Sequence, residues 1–382
     1  MMPQPPDAGR DRCVAVIDSG ALRYNAGLAG RLAGGGPECV MAVVKAGAYG
    51  HGLAQVVPAL REDIGAFAVA CLSEALEVKQ HAVRARDGGW APVFILSPAL
   101  AREMPEIVRH GFIPAVSTVE EVRQFAVLSA GKRTAVHVVV DTGMGRMGAL
   151  PDDAAAVLRA VHGSPALTLD SVSSHFPSSD EDEIFTRGQE ERFRSLTAEW
   201  RAEFGPFRTH LANSAGILRY PRVPGEMVRA GLMLYGVSPL PEYQPLLRPA
   251  LTWKTCITLV RCLPAGHGVS YGRAFITPRS MTVAAIAAGY GDGYPRQVSG
   301  KGASVLLRGR RCAVLGRVTM DQMLIDVSDF AEPPAPGDEV VLIGCQGSEC
   351  ITPGEVATLA GTIPWHVLTG ITGRTVRRAV TA

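Results

Sequence analysis

Lysine is scarce in this chain of 382 residues. Lys45, Lys79, Lys132, Lys254 and Lys301 are the five among 38 basic side chains, and the other 33 are arginines. An excess of charge of either sign is missing too, since 36 acidic residues leave a formal net charge of only +2. That balance excludes a general nucleic-acid binder or a polybasic membrane binder, because neither would have an electrostatic footprint. No apolar run reaches the roughly 18 residues that span a bilayer. The first segment, Met1 to Arg10, is polar and proline-rich. Without an apolar signal core it reads as a frayed tail. The eight cysteines (Cys13, Cys39, Cys71, Cys256, Cys262, Cys312, Cys345 and Cys350) are scattered, and none stands in a CxxC pair. Buried free thiols in a reducing cytoplasm, with no metal site, are therefore expected.

What is present is a repeating pattern. Short apolar runs at Cys39–Lys45, Ala66–Cys71, Pro92–Leu96, Phe112–Val116, Ala135–Asp141, Leu167–Ser174, Phe207–Ala212 and Met227–Leu232 alternate with amphipathic stretches. The runs are near-continuous in Val, Ile, Ala, Leu and Phe, as strands buried on both faces are. Helix starts are signalled at Ser73, at Ser117 or Thr118 ahead of Glu120 and Glu121, and at Pro151 with Asp152 and Asp153. Eight strand–helix units in about 200 residues predict a (β/α)8 TIM-type barrel over residues 11–240, with a doubly wound open sheet as the alternative. After about residue 240 the pattern becomes Thr/Val-rich runs broken by Gly and Pro, which predicts a mostly antiparallel β-domain over 241–382. The run Cys13–Asp18 precedes the barrel and is expected to pair with that β-domain.

Barrel active sites form at the C-terminal ends of the strands. Lys45, Tyr49 and His51 follow the first run and Asp141 to Arg146 the fifth. His175 follows the sixth, His210, Asn213 and Ser214 close the seventh, and Arg229 and Gly231 lie in the eighth. Basic and hydrogen-bonding groups converge on one rim, with Asp141 the lone acidic candidate, which suits an anionic ligand. A lysine at the end of so apolar a run loses hydration, its pKa falls, and a neutral amine becomes available for imine chemistry. Gly143-Met144-Gly145-Arg146-Met147-Gly148 fits a dinucleotide fingerprint, with Asp170 downstream. The next helix most naturally begins at Pro151, beyond the glycines, and Asp152 and Asp153 would repel a pyrophosphate there.

These residues resemble the alanine racemase family along nearly the whole chain. The segment Val44-Lys45-Ala46-Gly47-Ala48-Tyr49-Gly50-His51-Gly52 looks like that family's pyridoxal-phosphate lysine motif. Asp141 to Gly148, His175-Phe176, His210 to Gly216 and Val228 to Gly231 follow in the family's order. In the second domain Val269-Ser270-Tyr271-Gly272, Gly289 to Tyr294 and Met320-Asp321 continue it. The resemblance implies a homodimer with shared active sites, pyridoxal 5'-phosphate, and interconversion of L- and D-alanine by two-base proton transfer on the cofactor aldimine. It makes Lys45 the cofactor lysine and the base of one face, and Tyr271 of the neighbouring subunit the base of the other. Arg229 becomes the pyridine-nitrogen partner, held by His210, and Tyr49, Ser214 and the Gly231 backbone become phosphate contacts. Arg146 and the partner's Met320 backbone amide become contacts to the substrate carboxylate, and His175 assists Tyr271. No role falls to His51, His137 or His162.

The departures bear on the side chain accepted. Val139 stands where many members carry a carbamylated lysine, and Trp365 stands where a phosphate-contacting tyrosine is usual. Gly47 replaces an asparagine, Pro177 an alanine and Ala230 a proline. A serine racemase, a fold-related pyridoxal-phosphate decarboxylase, a non-catalytic cofactor carrier and a nicotinamide-dependent dehydrogenase are the competing readings. Arg229 argues against the decarboxylase, which would place an acid at the ring nitrogen, and Tyr271 argues against the carrier.

Overall fold

The computed structural model describes residues 11–82, 91–129, 131–220 and 225–381, so the tail expected over Met1 to Arg10 lies outside them. The chain divides into two compact units, one of residues 21–48 and 56–248, the other of 1–20, 49–55 and 249–382.

The first unit is an eight-stranded parallel barrel. The chain's first strand, β1 (Cys13–Asp18), stands outside it. The barrel strands are β2 (Val40–Val43), β3 (Ala66–Val69), β4 (Val93–Pro98), β5 (Ile113–Val116), β6 (Thr134–Val139), β7 (Leu167–Ser173), β8 (Arg208–His210) and β9 (Val228–Ala230). They hydrogen-bond in sequence order, β9 returns to pair with β2, and a His210–Met227 bridge closes the ring. Strands β2, β3 and β5 are buried at every residue, which is why they read as unbroken apolar runs. The open-sheet alternative fails on this closure.

Helix starts follow local chemistry. Thr118 Oγ1 accepts from the Glu121 amide at 3.1 Å while Glu121 Oε2 accepts from the Thr118 amide at 3.0 Å, a complete capping box. Pro151 opens helix Pro151–His162. The helix expected after Ser73 begins earlier, at Leu72, with Cys71 rather than a hydroxyl residue at its cap.

The glycines of the dinucleotide-like segment have another task. Gly143, Gly145 and Gly148 all have positive φ, and a Cβ on Gly148 would lie 2.7 Å from the Asp141 amide nitrogen. They fold residues 141–149 back on β6, where Asp141 donates to the Ala149 carbonyl and Ala149 to the Val139 carbonyl. The dehydrogenase reading therefore has no helix terminus at these glycines.

The second unit is a nine-stranded sheet in which β1 takes part. Its longer members are β10 (Leu251–Leu263), β13 (Met281–Ile286) and β17 (Glu339–Gln346). Between β10 and β13 lies a small ribbon, β11 (Gly268–Val269) with β12 (Phe275–Ile276). β14 (Ser304–Leu307), β15 (Arg310–Leu315), β16 (Met323–Asp326), β18 (Glu349–Ile351) and β19 (Val376–Val380) complete the sheet. β1 runs antiparallel to β10, with Ala15 opposite Trp253, and parallel to β19. All other pairings in the sheet are antiparallel. β15 and β19 lack a clean apolar alternation, because Arg310, Arg311, Arg377 and Arg378 interrupt it.

The cysteine expectation needs correction. Cys345 and Cys350 form a disulfide between the paired strands β17 and β18, where they are register partners across a tight turn. Six thiols are free, but only Cys13, Cys39 and Cys312 are buried; Cys71 and Cys256 are half-buried and Cys262 is exposed. A search for CxxC spacing passes over such a pair, since a cross-strand bridge depends on turn length.

Candidate active site

The barrel rim is organised around Arg229, a charged group buried without a carboxylate among the described residues. It leaves β9 and spends both terminal nitrogens on the protein. Nη1 donates to His210 Nδ1 at 2.6 Å and to the His210 carbonyl at 2.8 Å. Nη2 donates to His175 Nδ1 at 2.9 Å and to the carbonyls of Ser174 (2.6 Å) and Leu211 (2.9 Å). Burial, then the charge of Arg146, lowers the guanidinium to about 10, still charged near neutrality. Carbonyl dipoles and imidazole lone pairs compensate that charge, which fixes the tautomers. A guanidinium cannot accept, so both histidines carry any single proton on Nε2.

Both imidazoles are held well below the ordinary histidine value, by burial first and then by Arg229. Deeper in the barrel, burial lowers His137 to about 4. The unfolded chain therefore binds protons before the native one as the pH drops. Stability is complete above pH 6.5 and is lost as the pH falls toward 4, by roughly 3 kcal/mol for His137 alone. Guanidinium unfolding midpoints taken between pH 8 and 4.5 should fall below pH 6.5. A flat profile from pH 7 to 5 would contradict neutral burial of the three rings.

Lys45 is half-buried at the end of β2. Burial lowers its pKa, the positive charges of Arg146 and Arg229 add to the effect, and Glu74 opposes it. Glu74 is a second rim carboxylate that the sequence reading did not find beside Asp141. It stands in the first turn of helix Leu72–His81, where its Oε1 accepts from the Ala46 amide and its Oε2 from the Ala70 amide, each at 2.7 Å. The Ala46 amide it holds begins a left-handed turn, with φ of 54° at Ala46, 60° at Gly47, 54° at Ala48 and 53° at Tyr49. Left-handed backbone costs roughly 1–2 kcal/mol at each non-glycine residue and clusters at functional sites. The exchange of asparagine for Gly47 thus has a physical reason, since these two residue types tolerate this conformation best. A Cβ at Gly47 would meet nothing within 4 Å. Gly47→Asn should retain cofactor and melting temperature close to wild type. Gly47→Val should lose about 1–3 kcal/mol and bind cofactor weakly. Equal behaviour of the two in thermal melts would remove the left-handed turn as the cause.

Ser214 Oγ accepts from the amides of Gly231 (3.1 Å) and Met233 (3.2 Å), which gathers two backbone donors and a hydroxyl at one point. Arg146 is exposed and has no hydrogen-bond or ion-pair partner among the described residues. Its loop is braced instead by Thr142, whose Oγ1 contacts Ser174 Oγ (2.7 Å) and accepts from Gln189 Nε2 (2.9 Å). Val139, the register partner of Ser173 on β7, is buried and apolar. Gln189 was not singled out in the sequence, because it lies mid-helix in Glu183–Phe204 with no motif around it.

Tyr49, Tyr271 and Met320 belong to the β-domain unit. Burial raises the Tyr49 phenol to about 12, so it stays a neutral donor. Tyr271 is 70% exposed and Met320 51%. The turn carrying Met320 is clamped within its own unit. Arg374 joins Asp321 (2.7 Å) and Asp292 (3.2 Å), while the Gly291 amide donates to the Met320 carbonyl at 2.9 Å. Trp365 is half-buried in helix Pro364–Thr369 of the same unit.

The donor set fits pyridoxal phosphate. Five bonds occupy Arg229 Nη1 and Nη2, and its Nε–H has no protein partner among the described residues, free to face a pyridine nitrogen. A lysine with lowered pKa stands on the same rim, and the Ser214–Gly231 cluster suits a phosphate. This fold, with a lysine of lowered pKa and a buried arginine on the barrel rim, is that of a class, the pyridoxal-phosphate-dependent amino-acid racemases. Residues 17–239 match the family described as "Alanine racemase, N-terminal domain", and residues 250–379 match "Alanine racemase, C-terminal domain". The chain belongs to the alanine racemase family. It is 38% identical over 371 residues to an alanine racemase of Symbiobacterium thermophilum, covering 95% of this chain and 96% of that one. Identity to an alanine racemase of Methylacidiphilum infernorum is 35%, with 93% and 89% covered. Among solved structures, alanine racemase from the D-cycloserine producer Streptomyces lavendulae superposes with a TM-score of 0.88 at 32% identity, covering 97% of this chain and 98% of that one. The Bacillus anthracis enzyme with bound L-Ala-P gives 0.84 at 32% identity, with 97% and 95% covered. No helix among the described residues is long and apolar enough to cross a membrane.

Proposed function

We propose that this chain interconverts L- and D-alanine as a cytoplasmic homodimer with two shared active sites. The observation that carries the reading is Arg229, charged, buried and braced by two neutral histidines, with Nε–H left over. Bound pyridoxal phosphate supplies an electron sink for the negative charge left on Cα when its proton departs. Arg229 does not readily surrender its proton, so it leaves the ring nitrogen unprotonated and moderates that sink. A moderated sink disfavours decarboxylation and transamination relative to return of the proton to Cα.

Lys45 Nζ would hold the cofactor and would move the α-proton on one face. Tyr271 Oη of the second copy serves the other face, and its exposure together with that of Met320 supports burial by a partner. His175 offers Nε2–H to that phenolic oxygen, because its Nδ1 is occupied by Arg229. Arg146, without a protein partner among the described residues, and the Met320 amide of the second copy hold the substrate carboxylate. Tyr49, Ser214 and the Gly231 amide hold the phosphate, with His210 keeping Arg229 in place. Six of the eight cysteines keep free thiols, which supports the cytoplasmic location.

The test is a panel of L-amino acids with added cofactor, read by chiral chromatography. Alanine should racemise fastest and serine more slowly. Carbon dioxide release, nicotinamide-dependent turnover, or faster conversion of a larger amino acid than of alanine would overturn the reading.

A further inference from the structure

The barrel interior holds buried polar side chains near Arg229 whose atoms are unmatched in a complementary way. His210 and His137 are both almost fully buried, and their rings lie 5.4 Å apart, centroid to centroid, at 41°. His210 Nδ1 accepts from Arg229, so the proton of the neutral ring sits on Nε2, and that atom is buried with no protein partner among the described residues. His137 Nε2 lies 3.1 Å from the Ile95 carbonyl, which can only accept, so its proton also sits on Nε2. That leaves His137 Nδ1 as a bare acceptor, likewise buried and unpartnered. One ring therefore presents a donor without an acceptor and the other an acceptor without a donor. Ser171 is the register partner of His137 on β7, and its hydroxyl is buried and unmatched as well.

We propose that His137 is a positioning residue for the cofactor arginine, acting through a buried water that accepts a hydrogen bond from His210 Nε2–H and donates one to His137 Nδ1. A buried water needs two to four polar partners, and these two nitrogens with Ser171 Oγ supply them. The relay is directional. Ile95 fixes the His137 tautomer, His137 through the water keeps the His210 proton on Nε2, and His210 Nδ1 is thereby kept bare for Arg229. If His210 took the other tautomer, an N–H would face an N–H of Arg229, and the guanidinium would be pushed from its place. The charges around the relay are Arg229 above it, and Asp170 and Arg208, which pair with each other, on β7 and β8. Burial keeps both rings neutral, as the relay requires.

This inference rests on the reading of Arg229 as the ring-nitrogen partner, but its first test does not need the cofactor. Nitrogen-15 NMR of histidine-labelled, cofactor-free protein should show His137 and His210 both neutral with the proton on Nε2 at pH 7. A proton on Nδ1 of either ring overturns the relay, whatever the enzyme does. His137→Phe removes the acceptor, and His137→Gln offers a side-chain oxygen in its place. The phenylalanine variant should move the His210 nitrogen shifts toward a tautomer mixture. Its loaded form should lose roughly tenfold in kcat with KM within about twofold. The glutamine variant should recover both signals. A folded His137→Phe protein with unchanged His210 shifts, or equal losses in the two variants, overturns the proposal. If His137→Phe does not fold, the wild-type tautomers and the glutamine variant still decide it. Failure of the alanine reading would show separately, as absent racemisation beside intact tautomers.

Discussion

Lys45→Ala is expected to abolish the visible absorption of covalently bound cofactor and to lower racemisation by about 10⁴-fold or more. No other lysine can substitute. Lys79 Nζ bonds to His110, Lys254 pairs with Glu339, and Lys132 and Lys301 are exposed. Only Lys45 combines lowered basicity with a place on the rim that Arg229 and Arg146 keep positive. Those two cations favour its neutral form, the form that attacks a carbonyl, and Glu74 limits the shift while holding the turn behind it. The fold should survive, because the half-buried amine has no protein bond among the described residues that the substitution would orphan. Circular dichroism and melting temperature close to wild type, with the absorption band gone, are the expected pair of readings. A retained band would move the cofactor linkage to another residue.

The second large effect concerns Tyr271. Tyr271→Phe deletes one proton donor and acceptor and should lower racemisation by about 10²–10⁴-fold. Exchange of the α-proton in heavy water should persist from one enantiomer only, since Lys45 still serves its own face. The trans arrangement gives a sharper result. Each site would draw Lys45 from one chain and Tyr271 from the other, so a mixed dimer of Lys45→Ala and Tyr271→Phe chains contains one intact site and one doubly defective site. Equal mixing of the chains should restore about one quarter of wild-type activity. No recovery, with mixed dimers shown to form, would place both residues in the same chain's site.

Much of this was legible before any coordinates. The eight apolar runs became β2 to β9 because a strand covered on both faces has no polar side to show. Lys45, His175 and Ser214 stand just past strand ends and His210 and Arg229 within the last strands, which is where the sequence pattern put them. Other features left no such mark. Glu74 reads as an ordinary helix-start acid until the structure aims both oxygens at amides of the rim. Gln189 lies mid-helix, and the Cys345–Cys350 bridge depends on a hairpin register. His137 was assigned no role, because a lone histidine in an apolar strand is usually a packed one.

The order of the motifs along the chain determined the fold class and the family. Each of these depends on which residue type follows which strand, and that is local information. The tertiary structure alone decided the protonation states. Whether His210 and His175 offer a lone pair to Arg229, and whether the charge of Arg229 is met by carbonyls or by an acid, are set by groups from different strands. The sequence separates those groups by tens of residues, and burial raises the energetic stakes of every such pairing.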